Sequence, residues 1–188
     1  MPELNYRFKQ IKGMIPASVR TVLDVGCDER TLEPFFDKYI GLDLENAEIN
    51  QNLNKSQKIP LKNKSVDLVI LSQILEHIAD PSEIISESKR VAKKYVLVGL
   101  PSDFTIDNRI RVLFNIRGLS YDPYGHKHWF NPKTAEDFVK MFFGKWEKKE
   151  NIFAVKGGRF LPQFLRQFLT DIYPDWFAKE IYYLVKLS

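Results

Sequence analysis

A single cysteine, Cys27, leaves this chain without any internal disulfide framework and fits a reducing compartment. Glycine is scarce, nine in 188 residues, and in the turn after the first apolar strand only Gly26 stands where a pyrophosphate would need several glycines to approach the backbone. No uninterrupted apolar stretch reaches membrane-spanning length, and Met1-Pro2-Glu3-Leu4-Asn5-Tyr6-Arg7 lacks the apolar core of a signal peptide. A cytoplasmic protein is expected. Charge of one sign is missing as well: 28 basic and 24 acidic residues give a net +4. The basic residues are dispersed except at Lys93-Lys94 and Lys145 to Lys149, so there is no clear nucleic-acid signal.

What is present is more specific. Val22-Leu23-Asp24-Val25-Gly26-Cys27-Asp28, followed by Tyr39-Ile40-Gly41-Leu42-Asp43, reads as strand, tight turn, helix and second strand. A carboxylate, Asp43, ends the second strand where a Rossmann-type unit holds a ribose. Charge then argues which nucleotide. Asp28 and Glu29 would repel a pyrophosphate in a partly desolvated turn, which disfavours NAD. S-adenosylmethionine has no phosphate, and its sulfonium and ammonium are cationic, so an acidic turn suits it. Asp28 and Glu29 also read as the N-cap and first-turn acid of a helix from Arg30 to Lys38, and both readings hold together. Cys27 reads as a small apolar filler rather than a nucleophile, since no histidine lies nearby in sequence.

The length suits one α/β domain over residues 1–188 and is too short for two comfortable ones. After an amphipathic lead at Phe8 to Ile15, strands are predicted at Thr21 to Val25, Tyr39 to Leu42, briefly within Glu48 to Leu53, at Ser65 to Leu71 and at Tyr95 to Leu100. Asp80 as N-cap, Pro81 at the first helical position and Glu83 three residues on predict a helix over Ile84 to Ala92. Strands alternating with helices imply a parallel sheet with its ligand at the strands' carboxyl ends. Asp24 to Cys27, Asp43, Ser72 to His77 and Pro101 to Phe104 converge there. A loop-rich insert, Asp103 to Asn131, then leads to a helix at Lys133 to Phe143, a strand at Trp146 to Val155, an aromatic amphipathic stretch at Phe160 to Phe177 and a last strand at Ile181 to Leu187. A hairpin-like pair closing the sheet fits that end of the chain.

Val22-Leu23-Asp24-Val25-Gly26-Cys27, Ile40-Gly41-Leu42-Asp43, Ile59-Pro60-Leu61, Ser65-Val66-Asp67-Leu68-Val69, Ile74-Leu75-Glu76-His77-Ile78-Ala79-Asp80-Pro81 and Val96-Leu97-Val98-Gly99-Leu100-Pro101 resemble, in order and spacing, the class I S-adenosylmethionine-dependent methyltransferases of the type 11 branch. The resemblance implies a Rossmann-like three-layer sandwich with a mostly parallel seven-stranded sheet and an antiparallel final strand. It implies a cofactor-binding half at 17–102 and an acceptor-side insert with closing strands at 103–188. By position, Asp24 and Gly26 border the methionine end of the cofactor, Asp43 with Leu44 takes the ribose, and Asn52 and Leu53 flank the adenine. Ser72 and Gln73 follow the fourth strand along the cofactor, and Glu76-His77 is similar to the family's recurrent acid-histidine pair. The chain departs from the family at Asp28 and Arg30, where glycines are usual, and at Asn52, where an acid is usual. A non-catalytic binding or scaffold protein of the same fold is the alternative those departures motivate, and a nicotinamide-dependent oxidoreductase is a third.

Methyl transfer is an in-line displacement that needs no protein nucleophile, though a hydroxyl or ammonium acceptor benefits from a general base. Tyr121-Asp122-Pro123-Tyr124-Gly125-His126-Lys127-His128-Trp129 supplies the candidates: His126 or His128 as base, Tyr121 or Tyr124 to orient the acceptor. Anchoring of the loop by the histidines and Trp129 is the structural reading. As a metal pair, His126 and His128 have no third ligand spaced to join them, so no metal is expected. His77 reads either as a site residue or as a histidine bonded to backbone at a helix start. Phe160, Leu161, Phe164, Leu165, Phe168, Leu169 and Ile172 make one apolar helical face. It suits packing on the sheet, cover for a hydrophobic acceptor, a homodimer surface or a membrane interface, and it favours an apolar or lipid-linked acceptor over a highly charged one.

Overall fold

The computed structural model describes residues 2–28, 30–114, 125–153 and 161–187. Its strands are β1 (Thr21–Val25), β2 (Lys38–Asp43), β3 (Ile49–Asn50), β4 (Val66–Ser72), β5 (Ala92–Pro101), β6 (Lys148–Phe153) and β7 (Ala178–Lys186). Its helices are α1 (Pro2–Met14), α2 (Ser82–Val91), α3 (Ile106–Leu113), α4 (Pro132–Phe143), α5 (Gln163–Ile172) and α6 (Pro174–Phe177). The strands form one sheet in the order β3-β2-β1-β4-β5-β7-β6. Strand β7 is antiparallel to both neighbours, β5 and β6, while the pairs from β3 through β5 are parallel.

Alternate residues of the central strands feed two cores. Leu23, Val25, Val69, Leu71, Val96 and Val98 pack with Ile84, Ile85 and Val91 of α2 and Ala135 and Val139 of α4. Val22, Leu68, Ile70, Leu97 and Tyr182 face the other way, onto Phe8, Ile11 and Met14 of α1. Covering both faces explains why β4 and β5 read as continuous apolar runs rather than as alternating ones. The helices start on local signals. Asn131 caps α4, accepting from the backbone N–H groups of Lys133 and Thr134, and Thr134 Oγ1 accepts in return from the Asn131 N–H. Asp80 accepts from the Ser82 N–H at 3.0 Å, so Pro81 precedes α2 instead of opening it.

Two expectations need correction. The helix from Arg30 to Lys38 is a single 3-10 turn, Glu33–Phe35. Gly26, Asp28 and Arg30 all have positive φ (77°, 41° and 55°), and left-handed residues cannot propagate a right-handed helix. Asp28 also does not cap; its N–H goes to Asp43. The loop-rich insert after β5 carries one helix, α3, at Ile106–Leu113. The amphipathic stretch breaks at Pro174 into α5 and α6. The apolar face of α5 is not fully packed: Phe164, Phe168 and Ile172 are 74%, 56% and 50% exposed. Tyr121, Tyr124, Phe160 and the Ala154-Val155 end of the expected sixth strand lie outside the described residues.

Candidate active site

The sheet brings the carboxyl ends of β1, β2, β4 and β5 to one edge. At β2 the Asp43 carboxylate accepts from the Asp28 N–H at 2.8 Å through one oxygen and from the Leu44 N–H at 2.7 Å through the other. Each oxygen keeps a further lone pair for a ligand hydroxyl. Gly26 N–H donates to Leu42 C=O at 2.7 Å, which ties the turn to the end of β2. A Cβ at Gly26 would sit 3.1 Å from Ile74, so this glycine lets the turn pack closely against the segment after β4. Asp24, buried in β1, accepts from the Tyr39 hydroxyl at 2.7 Å. Burial first, and then the Asp24 charge, push the Tyr39 phenol well above its ordinary range.

Arg30 is held by Glu33 (3.0 Å) and Glu48 (2.7 Å) and lies over the Tyr39 ring at 5.3 Å. Glu48 accepts in addition from the Gly41 N–H at 2.7 Å. The Arg30 hydrogen bond, followed by that of Gly41, lowers its carboxyl to about 2. Beneath them Cys27 is buried, and burial with the Asp24 and Asp43 charges pushes its thiol up to about 11. A thiol so rarely ionised at neutral pH is the packing residue its sequence position suggested. Asn52 forms a local turn, its side-chain oxygen accepting from the Asn54 N–H at 2.9 Å, and Leu53 is buried in the core beside it. Leu44 is exposed.

At the end of β4, Ser72 Oγ is 2.8 Å from the Tyr182 hydroxyl, which donates to Glu180 at 3.0 Å. Gln73 has a positive φ of 56° and gives its N–H to Gly99 C=O at 3.0 Å. Its side-chain Nε2 is buried and has no protein partner. It borders a cavity of about 330 Å³ shared with Pro101, Asp103, Arg111, His126 and Lys179. Asp103, nearly fully buried, accepts from the Phe130 N–H at 2.9 Å and stands 3.3 Å from His126 Nδ1. The Glu76 carbonyl accepts from the N–H groups of Lys127 and His128, at 2.7 and 3.3 Å, and this pins the histidine segment to the turn after β4. His77 and His126 meet edge to face with ring centroids 4.9 Å apart. His128 is placed differently: its Nε2 lies 2.9 and 3.2 Å from the carbonyls of Ile78 and Ala79, so it donates to backbone. Asp103 was missed as a partner of His126; the only signal for it was a carboxylate two residues past the end of a buried strand.

This strand order, with an acid ending β2 and a polar cavity beyond β4 and β5, defines a nucleotide-binding α/β protein. Residues 23–98 match the family model described as a methyltransferase domain. Among solved structures, the chain is similar to an S-adenosylmethionine-dependent methyltransferase of Archaeoglobus fulgidus (17% identity, 98% of this chain and 94% of that one, TM-score 0.58). It is similar to one of Thermotoga maritima (13%, 98% and 89%, TM-score 0.64) and to a methyltransferase of Bacillus halodurans (15%, 99% and 99%, TM-score 0.61). No curated protein matches the chain. At these identities the structural likeness shows the fold over nearly the whole chain, and the family match shows a methyltransferase-domain pattern over residues 23–98. The relatives from Archaeoglobus fulgidus and Thermotoga maritima are S-adenosylmethionine-dependent.

The residues present fit S-adenosylmethionine. A buried amide donor on Gln73 lacks a protein partner, and Asp43 retains acceptor capacity for two hydroxyls.

Proposed function

We propose that this chain, as a single domain, transfers a methyl group to a hydroxyl or amine of a small-molecule or lipid-linked acceptor, with His126 as general base positioned by Asp103. The observation that carries the reading is the Asp103–His126 pair, 3.3 Å apart and nearly enclosed, on a cavity that Gln73 also borders. The Asp103 carboxylate beside Nδ1 would favour a proton on that nitrogen, and the other ring nitrogen would then take the acceptor's proton. His128, donating to two carbonyls, fixes the loop rather than sharing that role.

Asp43, with Leu44 beside it, would hold the ribose hydroxyls. Asp24 and Gly26 would border the methionine end, Asn52 and Leu53 the adenine, and Ser72, Gln73 and His77 the path from cofactor to acceptor. When bound, the cofactor supplies an electrophilic methyl on a sulfonium. The chain's part is to hold the nucleophile in line with it and to remove one proton. Support for the acceptor class comes from polarity on one side and apolar surface on the other. Asp103, Asp107, Arg111 and Lys179 line the cavity, whereas Ile110, Leu113 and Phe114 near α3 and Trp176 of α6 are exposed. Arg109 joins the two helices, stacking over Trp176 at 4.4 Å. A polar head in the cavity with an apolar tail along this rim uses both. A cytoplasmic location belongs to the same reading and rests on the lone cysteine; among the described residues no helix is long and apolar enough to cross a membrane.

The test is production of S-adenosylhomocysteine from S-adenosylmethionine with panels of phenols, amines and lipid-linked glycans. His126→Ala should lower turnover about 10²- to 10⁴-fold at unchanged cofactor affinity. Turnover that is indifferent to His126→Ala would remove the base assignment, and cofactor binding without any transfer would favour the scaffold reading.

A further inference from the structure

The sequence offered His126 and His128 as a metal pair without a third ligand. Folding separates those two and builds a different set. One ligand atom each from Glu76, His77 and His126 lie within 4.8 Å of one another. Glu76 and His77 belong to the 3-10 turn Leu75–His77 after β4. His126 arrives from fifty residues away, held there by the two N–H bonds onto the Glu76 carbonyl.

We propose that Glu76, His77 and His126 form a site for a divalent first-row cation of the zinc or manganese class, which holds the acceptor's oxygen beside the transferred methyl. Enclosure supplies the first argument: Glu76 is 1% exposed and the His126 side chain 13%, so the set is not one of the exposed acidic groups that are common without an ion. Ligand chemistry supplies the second argument: two imidazoles and one carboxylate are the borderline donor set that zinc and manganese accept, and three protein ligands leave a position open. Support around the ligands supplies the third. Asp103 stands 3.3 Å from His126 Nδ1, close enough for the carboxylate–histidine pairing that commonly orients a ligating ring. Ligands about 2.1 Å from one tetrahedral ion are about 3.4 Å apart, so side-chain rotations that bring the three atoms together by about 1.4 Å or less close the set.

The site rests on the reading of this chain as a methyltransferase and replaces the base step given to His126 above, since a ring that ligates an ion does not also take the acceptor's proton. His126 becomes a ligand, and the cation takes over the lowering of the acceptor's pKa. The acceptor's O–H proton leaves to solvent, an oxygen electron pair forms the bond to the methyl carbon, and the electrons of the S–CH₃ bond remain on sulfur as the thioether of S-adenosylhomocysteine.

The chain has three histidines, His77, His126 and His128, which makes a direct readout accessible. Chelator-stripped protein is titrated with Zn²⁺ while the ring nitrogens are followed by ¹⁵N NMR, and Mn²⁺ binding is measured by calorimetry. Saturable shifts at His77 and His126, with His128 unmoved, are expected. Affinity should fall at least 10-fold in Glu76→Gln and in His77→Gln, and about 10- to 100-fold in Asp103→Asn. No shift at millimolar Zn²⁺, or shifts that persist in His77→Gln, would overturn the site. S-adenosylhomocysteine binding, measured in parallel without metal, separates the two ideas: its survival alongside absent metal binding removes only the cation, and its absence removes the reading beneath it.

Discussion

Gly99 on β5 lies directly opposite Tyr182 on β7, and a Cβ there would fall 2.3 Å from Tyr182 Cε1 and 2.8 Å from Cδ1 and Cζ. Carbon atoms pack at about 3.5 Å or more, so the ring in Gly99→Ala must retreat by roughly 1.2 Å. Tyr182 is fully buried and cannot swing into solvent. Such a retreat stretches its 2.8 Å contact with Ser72 beyond hydrogen-bonding range. Overpacking costs about 1–3 kcal/mol and the lost bond about 1 kcal/mol, offset by about 0.5–1 kcal/mol because glycine is a poor strand residue. The net is a loss of about 1–3.5 kcal/mol. At about 2–4 °C per kcal/mol for a chain of this size, Tm falls by roughly 2–14 °C. Thermal unfolding monitored by circular dichroism measures it. Adding Tyr182→Leu should return part of the loss, with a coupling of about 0.5–3 kcal/mol. A Gly99→Ala protein as stable as the parent, or a double variant showing the two losses simply added, would refute the packing argument.

Other consequences follow from the cofactor turn. Cys27, its thiol raised to about 11, should react with iodoacetamide at pH 8 far more slowly in the folded protein than in denaturant; rapid labelling of the native form would contradict the burial. Glu48, lowered to about 2, contributes stability that is complete above its unfolded pKa of about 4.3 and is lost as pH falls toward 2. Glu48→Gln should therefore be less stable than the parent at pH 7, by about 1 kcal/mol or less given its exposure, and equal to it near pH 2; a deficit that is constant with pH would count against the Arg30 and Gly41 contacts. Gly26→Ala must place an alanine at a φ of 77° against Ile74, costing about 1–2 kcal/mol, and should weaken S-adenosylhomocysteine binding as well; calorimetry showing parental affinity would mean the turn is not part of the pocket.

Strands were legible because burial on both sheet faces leaves uninterrupted apolar runs of strand length, as at Leu68-Val69-Ile70-Leu71 and Val96-Leu97-Val98. The last strand and a closing hairpin-like pair were legible in the sequence pattern, and the resemblance added a seven-stranded sheet with one antiparallel strand, as β7 between β5 and β6 now is. The turn after β1 misled for a physical reason. Asp28 and Glu29 carry helix-start chemistry, yet the backbone there is left-handed at Asp28 and Arg30, and the Asp28 N–H is taken by Asp43 across the turn. Asp43 and Gly26 stand at the strand ends where the local pattern placed them. The meeting of Glu76, Asp103 and His126 was not legible, because it forms only after a turn, a strand end and a loop converge, and no spacing in the chain encodes it.

Calorimetric titration with S-adenosylhomocysteine, comparing the parent with Asp43→Ala, tests the central claim most directly. The account predicts one site of micromolar affinity in the parent. In the variant it predicts a loss of about 3 kcal/mol, roughly 100-fold, as two hydroxyl hydrogen bonds to a half-exposed carboxylate disappear. Equal affinity in the two proteins, or no heat in the parent at millimolar ligand, would contradict it.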